Sequence, residues 1–250
     1  MSSQKIEFHG HLGNTIAGVL ELPEKKPSGI AIFAHCFTCT KELKVVREVA
    51  RQFTRESLGV LRFDFTGLGQ SKGLFQKTSF STNIQDLLAA AEYLDQNHLP
   101  PAMLIGHSLG GAAVLGAAGA IKSLRCVATI GAPAHASHIR GLLGNTAFAS
   151  DGTAMISVGG RPFKIERQFV EDLEKHSVLE HTASLRLPLM IFHSPVDQIV
   201  GIENAEQLYR AARHPKSFVS LGQSDHLVSK RHDAQFLGHV LSAWATYYVS

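Results

Sequence analysis

Three short segments of the sequence carry side chains that could perform nucleophilic catalysis. The first is GHSLGG, in which Ser108 stands between Gly106 and Gly110. The apolar run AMLIGH precedes it and the small-residue run AAVLGAAGA follows, which predicts a strand, a sharp turn and a helix. A serine at such a turn is presented above the sheet, where the helix N-terminus directs partial positive charge towards it. This context favours a nucleophile over an ordinary glycine-rich turn with a serine helix cap.

A serine hydroxyl is a weak nucleophile at neutral pH and needs a base that is itself oriented by a carboxylate. Asp197 in HSPVD follows the seventh predicted strand, and His226 in SDHL follows the eighth. This order of serine, acid and histidine, each beyond a later strand, is typical of a catalytic triad on a parallel sheet. We therefore predict the triad Ser108, Asp197 and His226.

Two neighbouring residues are alternatives to be weighed against this triad. Asp225 adjoins His226, and adjacent residues rarely orient so that one supports the ring of the other, so we expect Asp225 to cap a turn. His107 adjoins Ser108, but we expect its side chain to point away from the reacting centre and to pack. Asp197 itself could be only a turn cap, a role that Asp often fills.

Acyl transfer passes through an oxyanion, which backbone N–H donors stabilise. Leu109, the residue after the nucleophile, is expected to supply one donor, and the loop after the third strand the other. That loop is HCFTC, which makes the N–H of Phe37 the expected second donor. Together they predict an oxyanion hole.

The same loop contains Cys36 and Cys39 at C-x-x-C spacing, which also occurs in redox dithiols and zinc sites. A thioredoxin-type pattern is missing, and so is a second group of ligands at metal spacing, so we interpret both as small loop residues. We expect no metal and no cofactor. His35 and Cys36, with Phe163 further along the chain, are candidate substrate-binding residues.

The order of predicted elements indicates an α/β fold. Short apolar strands alternate with amphipathic helices, which predicts an eight-stranded, mostly parallel sheet with helices on both faces. The first two strands lack a helix between them and are expected to be antiparallel. We predict a single domain over residues 1–250, in which residues 134–186, after strand six, form a small lid insertion. Within it a hairpin is predicted to turn at Gly159 and Gly160, followed by a helix.

Composition excludes several classes of function. The chain has 250 residues, 44% of them hydrophobic, and a net charge of +3. Lys and Arg are scattered, which argues against nucleic-acid binding, and no apolar run approaches the ~20 residues of a membrane span. No secretory leader is evident and three cysteines do not suggest a disulfide framework, so a cytoplasmic protein in a reducing compartment is expected. A homodimer stays open.

The strings AHCFTCTKEL, LRFDFTGLG, LIGHSLGGAAVL, GRPFKIERQF, HSPVDQIVGIENA and AARHPKSFVSL resemble those of the α/β-hydrolase superfamily. More narrowly, they resemble the bacterial hydrolase that is often fused to, or encoded beside, an OsmC-type peroxide-handling domain. The resemblance implies a carboxylesterase or thioesterase acting on short acyl chains of a small-molecule substrate. It also implies a possible functional association with an OsmC-type protein. Cys36 stands where the superfamily more often has glycine.

Two classes of function follow from these patterns. The first is hydrolysis of an ester or thioester through an acyl-enzyme on Ser108, and a peptidase or perhydrolase could use the same triad. The second is a catalytically silent fold that binds a small molecule or a protein, since a fold alone does not establish chemistry. A triad in the expected order favours the enzyme.

Overall fold

The computed structural model of the protein describes residues 1–135, 148–158 and 161–249. Its main sheet has eight strands, which lie side by side in the order Ser2–His9 (β1), Thr15–Leu22 (β2), Leu58–Phe63 (β4), Gly29–Ala34 (β3), Pro101–His107 (β5), Cys126–Ile130 (β6), Leu189–His193 (β9) and Lys216–Ser220 (β10). β2 pairs antiparallel with both β1 and β4, and the other pairs are parallel. The predicted mostly parallel α/β architecture is confirmed.

Helices cover both faces of the sheet, as predicted. Lys44–Arg55 (α1) and Arg231–Val249 (α7) pack against one face, and Phe80–Gln96 (α2), Leu109–Ala118 (α3) and Glu203–Ala211 (α6) against the other. The central strands are therefore buried on both sides, and β4 is buried at every position. Strands of this kind consist of nearly continuous apolar residues, which is why the sequence identifies them.

A smaller layer lies between β6 and β9. It contains the antiparallel hairpin Thr153–Val158 (β7) and Arg161–Glu166 (β8), then the helices Arg167–Glu174 (α4) and Val178–Ser184 (α5). The hairpin and the first helix agree with the sequence prediction, whereas α5, only 7 residues long, was missed. The predicted turn at Gly159 and Gly160 lies outside the described residues, and the lid role of this insertion stays a prediction.

Apolar contacts join this insertion to the main sheet. Ala154, Ile156 and Ile165 form a small cluster with Phe37, in the loop after β3, and with Phe75, in the 3-10 turn Phe75–Lys77. The hairpin therefore lies over the carboxyl ends of the parallel strands, where open α/β sheets place ligand clefts. No helix among the described residues has both the length and the apolar character needed to cross a membrane.

Candidate active site

The structure brings the three predicted triad residues together at the carboxyl end of the sheet. His226 Nε2 lies 2.9 Å from Ser108 Oγ, and His226 Nδ1 lies 2.7 Å from Asp197 Oδ2. A carboxylate can only accept, so Nδ1–H donates to Asp197, and Nε2 is left to accept the serine O–H. This tautomer is the one that a general base for Ser108 requires.

Ser108 occupies a strained backbone position between β5 and α3. Its φ is 55° and its ψ is −125°, outside the regions that non-glycine residues favour. Two glycines permit the tight turn: a Cβ at Gly106 would lie 2.3 Å from the carbonyl oxygen of Gly110, and one at Gly110 would lie 2.4 Å from that of His35. The serine turn therefore packs directly on the loop after β3.

Asp197 is held as an anion by several donors. Its Oδ1 accepts the backbone N–H groups of Ile199, at 2.9 Å, and Val200, at 3.0 Å. Burial acts to raise the pKa of Asp197, but the hydrogen bond and charge of His226 and these two N–H groups outweigh it, so the pKa lies below its ordinary value. His193 Nε2–H donates to the carbonyl oxygen of Val200, at 2.8 Å, and thus fixes the loop that carries the carboxylate.

His107 is fully buried directly beneath the catalytic candidate His226. Its Nε2 lies 2.7 Å from the carbonyl oxygen of His226, and the two ring centroids are 5.2 Å apart. Burial, followed by the proximity of His226, lowers the pKa of His107 to about 3, so the ring is neutral and Nε2–H is the donor. The sequence analysis predicted only a packing role for His107. It missed this hydrogen bond, which joins residues 119 positions apart.

Gly131, at the end of β6, is a second residue that the sequence reading missed. Its φ is +54°, and a Cβ there would lie 3.3 Å from Asp197 Oδ2 and 3.4 Å from His226 Nδ1. A larger residue would therefore crowd the hydrogen bond between acid and base. The signal in the sequence is only the Gly-Ala-Pro that ends the sixth predicted strand.

The loop after β3 contains the predicted oxyanion donor Phe37. His35, at its start, accepts the Phe65 N–H at Nε2, at 3.3 Å, and donates from Nδ1 to the Cys36 carbonyl, at 2.8 Å. Burial is the main reason that the pKa of His35 is lowered, which keeps the ring neutral for both bonds. Leu109, the other predicted donor, is the first residue of α3, where N–H groups have no intrahelical acceptor.

A buried ion pair fixes the far end of this loop. Lys41 Nζ lies 2.5 Å from Asp64 Oδ2, and each side chain is only 1% exposed. Asp64 also accepts the N–H groups of Lys41, at 2.7 Å, and Gln70, at 2.9 Å. Asp64 thus binds two backbone N–H groups and the Lys41 side chain, and the sequence analysis did not foresee the ion pair.

Cys36 and Cys39 lie in this loop as predicted, but their interpretation as small loop residues missed the bond between them. The two form a disulfide, with their Cα atoms 5.3 Å apart, and the Cys39 N–H donates to the Cys36 carbonyl at 3.1 Å. The tight turn across Phe37 and Thr38 brings the sulfurs together, a geometry that spacing alone does not reveal. The third cysteine, Cys126, is buried and free. Among the described residues no group of three or more His, Cys, Asp or Glu is arranged to hold a metal ion.

A small pocket lies beside the loop and the serine turn, and about 260 Å³ of empty space, open solvent included, lies between its walls. Its walls are mainly aromatic and aliphatic, with one amide group from Asn83. The lining residues are His35, Cys36, Phe37, Phe65, Leu68, Phe75, Asn83, Leu109, Gly110 and Ala113. Two of the three predicted substrate-binding residues, His35 and Cys36, thus line it.

The third, Phe163, is not one of the lining residues. Its ring packs against Phe75, with centroids 5.4 Å apart, and so supports the wall from behind. Phe37 is packed similarly, 5.5 Å from Phe75 and 5.3 Å from Phe169. Asp225, the alternative acid, accepts the N–H of Ser229 at 2.8 Å and also its hydroxyl, which makes it a turn cap.

The chain is similar in sequence and structure to known hydrolases. The family model for serine aminopeptidases, S33, matches residues 25–147. The esterase domain of a Rhodothermus marinus protein is 49% identical, each chain is covered over 100% of its length, and the TM-score is 0.85.

Two curated relatives are more distant. Protein YfhR from Escherichia coli O157:H7 is 23% identical over 97% of this chain and 82% of its own. The mitochondrial palmitoyl-protein thioesterase ABHD10 from mouse is 27% identical over 77% of this chain and 67% of its own. The relatives named as enzymes are thus an esterase and a thioesterase, both of which cleave acyl groups.

Proposed function

The chain belongs to the α/β-hydrolase superfamily, and from that premise we propose that it is a serine hydrolase that cleaves a carboxylic ester or thioester of a small, short-acyl substrate. The observation that carries this proposal is the hydrogen-bonded relay from Asp197 through His226 to Ser108, at 2.7 Å and 2.9 Å. With hydrogen bonds of these lengths and His226 protonated at Nδ1, His226 Nε2 can activate the hydroxyl of Ser108. A serine with only a structural role would need neither the base nor the carboxylate.

The chemistry follows from the positions of the protons. His226 Nε2 takes the proton of Ser108 Oγ as the oxygen attacks the acyl carbonyl, and Asp197 stabilises the imidazolium that forms. His226 then returns the proton to the departing alcohol or thiol, which leaves an acyl group on Ser108. A water molecule, deprotonated by the same nitrogen, releases the acid and restores the serine.

The carbonyl oxygen becomes an anion in each tetrahedral intermediate. We assign its stabilisation to the backbone N–H groups of Leu109 and Phe37. The start of α3 adds partial positive charge at Leu109. Each such donor contributes about 10²- to 10³-fold to kcat when it is held in place before the reaction. The buried bonds of His35 and Lys41, on either side of Phe37, provide that rigidity.

The pocket supports a small acyl group. Its enclosed part has room for about one water molecule, so a bulky acyl group would not enter without movement of the walls, and these aromatic walls suit an apolar group. The likeness to a palmitoyl-protein thioesterase favours keeping thioesters among the candidates. The serine aminopeptidase family model makes peptide bonds the second candidate. The cytoplasmic location, the association with an OsmC-type protein and the homodimer stay predictions from the sequence.

Labelling with a fluorophosphonate probe tests the proposal. We expect wild-type protein to be labelled at Ser108, and Ser108→Ala to lose both the label and at least about 10³-fold in kcat. Ser217→Ala, on the edge strand β10, is the matched control and should label like wild type. A folded wild-type chain that takes no label, or a Ser108→Ala chain that still does, would refute the assignment.

A substrate panel then separates the candidates. It contains p-nitrophenyl esters and acyl-CoA thioesters with acyl chains of about two to twelve carbons. Aminoacyl p-nitroanilides are added to test the peptidase hypothesis. We expect the highest kcat/KM with acyl chains of about two to four carbons. Preference for chains beyond about eight carbons would contradict the small-pocket assignment, and preference for the anilides would favour the peptidase.

A further inference from the structure

We propose that the Cys36–Cys39 disulfide is an exchange site for low-molecular-weight thiols, and that opening it slows hydrolysis. The effect on hydrolysis rests on the proposed function, because that function assigns the Phe37 N–H to stabilisation of the oxyanion. The bond joins the two residues that flank Phe37 and Thr38. A thiol that breaks it therefore acts on the short segment that holds one of the two proposed donors.

The disulfide constrains a backbone conformation that is otherwise unfavourable. Thr38 has φ of +62°, which is costly for a β-branched residue. Besides the disulfide, one backbone hydrogen bond closes this turn, from the Cys39 N–H to the Cys36 carbonyl at 3.1 Å. When the sulfurs separate, Thr38 can relax to negative φ, and we expect the amide of Phe37 to rotate away from the orientation that the closed turn gives it.

The rest of the loop is anchored by contacts that involve no sulfur. Before the disulfide, His35 bonds to Phe65, and after it Lys41 pairs with Asp64, each within the buried interior. These anchors persist when the bond opens, so reduction changes the residues between them and leaves the sheet intact. A disulfide that closes so short a ring restricts the unfolded chain less than one between distant residues, so its effect on global stability is at the low end for disulfides.

The two cysteines differ in exposure, which favours one direction of attack. Cys36 is 3% exposed, whereas Cys39 is half-buried. An incoming thiolate therefore attacks Cys39 Sγ, the S–S bond breaks, and Cys36 leaves as a thiolate that takes a proton. A second thiolate attacks the mixed disulfide and releases Cys39. Two thiols are thus oxidised to one small disulfide while the protein gains two thiols.

Cys126 takes no part in this exchange. It is fully buried in β6, and burial raises the pKa of its thiol to about 12, so almost none of it is thiolate at neutral pH. The thiolate is the reactive form, which makes Cys126 a poor nucleophile. Cys126 therefore serves as an internal control, a thiol that should not exchange under the same conditions.

The experiment equilibrates the chain in buffers of graded reduced to oxidised glutathione. Thiols are trapped with iodoacetamide and counted at Cys36 and Cys39 by mass spectrometry, and parallel samples are desalted and assayed with p-nitrophenyl butyrate. We expect the reduced protein to lose about tenfold in kcat with little change in KM, because the oxyanion donors act in the transition state. Oxidised glutathione should restore kcat.

Two variants and a fold measurement sharpen the test. Cys36→Ser with Cys39→Ser should have the low kcat of the reduced protein and no response to glutathione, whereas Cys126→Ala should respond like wild type. Circular dichroism of reduced wild type should match that of the oxidised protein. If the double variant does not fold, reduced and reoxidised wild type decide the question alone.

Three results would overturn the proposal. One is a disulfide that no glutathione ratio opens in folded protein, and another is equal or higher kcat after complete reduction. The third is unfolding on reduction, which would make the bond structural. If neither redox form hydrolyses esters or takes the fluorophosphonate label, the proposed function and the switching fail together, while the thiol count still decides the exchange site separately.

Discussion

The Nε2–H of His107 donates a 2.7 Å hydrogen bond to the backbone carbonyl of His226. The residue before the candidate nucleophile thus holds the backbone of the candidate base, although the two lie 119 positions apart. The relay is therefore supported on both sides, since His193 fixes the loop of Asp197 in the same manner.

Replacing the donor should weaken catalysis more than binding. His107→Phe keeps a ring of similar size against His226 but leaves its buried carbonyl without a partner, which costs about 1 to 3 kcal/mol. We expect kcat to fall about tenfold, with a smaller change in KM, because the imidazole of His226 is less well oriented in the transition state. Steady-state kinetics on p-nitrophenyl butyrate measures both.

The matched control is His239→Phe, an exposed histidine on α7, which should leave kcat unchanged. If His107→Phe changed only thermal stability and left kcat as in wild type, His107 would be a packing residue and not a positioning residue.

The buried His107 should also make stability depend on pH. Its pKa is about 3 in the folded protein against an ordinary 6.5, so its stabilising effect is complete above pH 6.5 and is lost as the pH falls towards 3. Over that window the unfolded chain binds one more proton than the folded one, a slope of about 1.4 kcal/mol per pH unit. Urea titrations at pH 7, 5.5 and 4.5 measure it.

We expect the free energies of unfolding of wild type and His107→Phe to converge as the pH falls. His35 and His193, whose pKa values burial also lowers, are present in both proteins and cancel in the comparison. A constant difference across this range would show that His107 takes up a proton without penalty.

The sequence predicted the fold well because the fold is encoded in local patterns. Parallel strands buried on both faces, such as β4 and β9, consist of apolar runs, and the helices between them have regular apolar spacing. The triad residues could be named for the same reason: Ser108, Asp197 and His226 each follow a predicted strand, and parallel strands end at one edge.

The contacts that support the site were not predictable in this way. Lys41 stands in the polar segment TKEL, which suggests a solvated lysine, yet it is buried against Asp64. The Cys36–Cys39 bond depends on a turn with positive φ at Thr38, which nothing local requires. Such contacts arise from how loops meet in three dimensions, and periodicity carries no information on that.

Breaking the buried ion pair should destabilise the protein strongly. Lys41→Met leaves the carboxylate of Asp64 buried without its counter-ion, which costs about 3 to 5 kcal/mol. Urea denaturation at pH 7 measures the loss. The exposed pair of Arg210 and Glu206 provides the control, because Glu206→Gln should cost no more than about 1 kcal/mol. A loss below about 1 kcal/mol for Lys41→Met would mean that Asp64 is neutralised in another way.

Gly110 and Gly119 lie at the two ends of α3, and replacing each by alanine distinguishes the effect of close packing at the serine turn from that of helix propensity. A Cβ at Gly110 would lie 2.4 Å from the carbonyl oxygen of His35 and 2.6 Å from that of Ala34, and backbone atoms cannot give way as side-chain ends do. Gly110→Ala should therefore push the turn that bears Ser108 away from the loop after β3. A displacement of about 1 Å costs on the order of 10²-fold in rate, which p-nitrophenyl ester kinetics will show.

Gly119, which caps the other end of α3, is the matched control. It has helical backbone angles, with φ of −65°, and a Cβ there would meet no atom within 4 Å. Gly119→Ala should keep wild-type kcat and stabilise the fold by about 0.4 to 1 kcal/mol, because alanine reduces the freedom of the unfolded chain. Equal kcat in both variants would show that the contact between the serine turn and the His35 loop does not set the catalytic geometry.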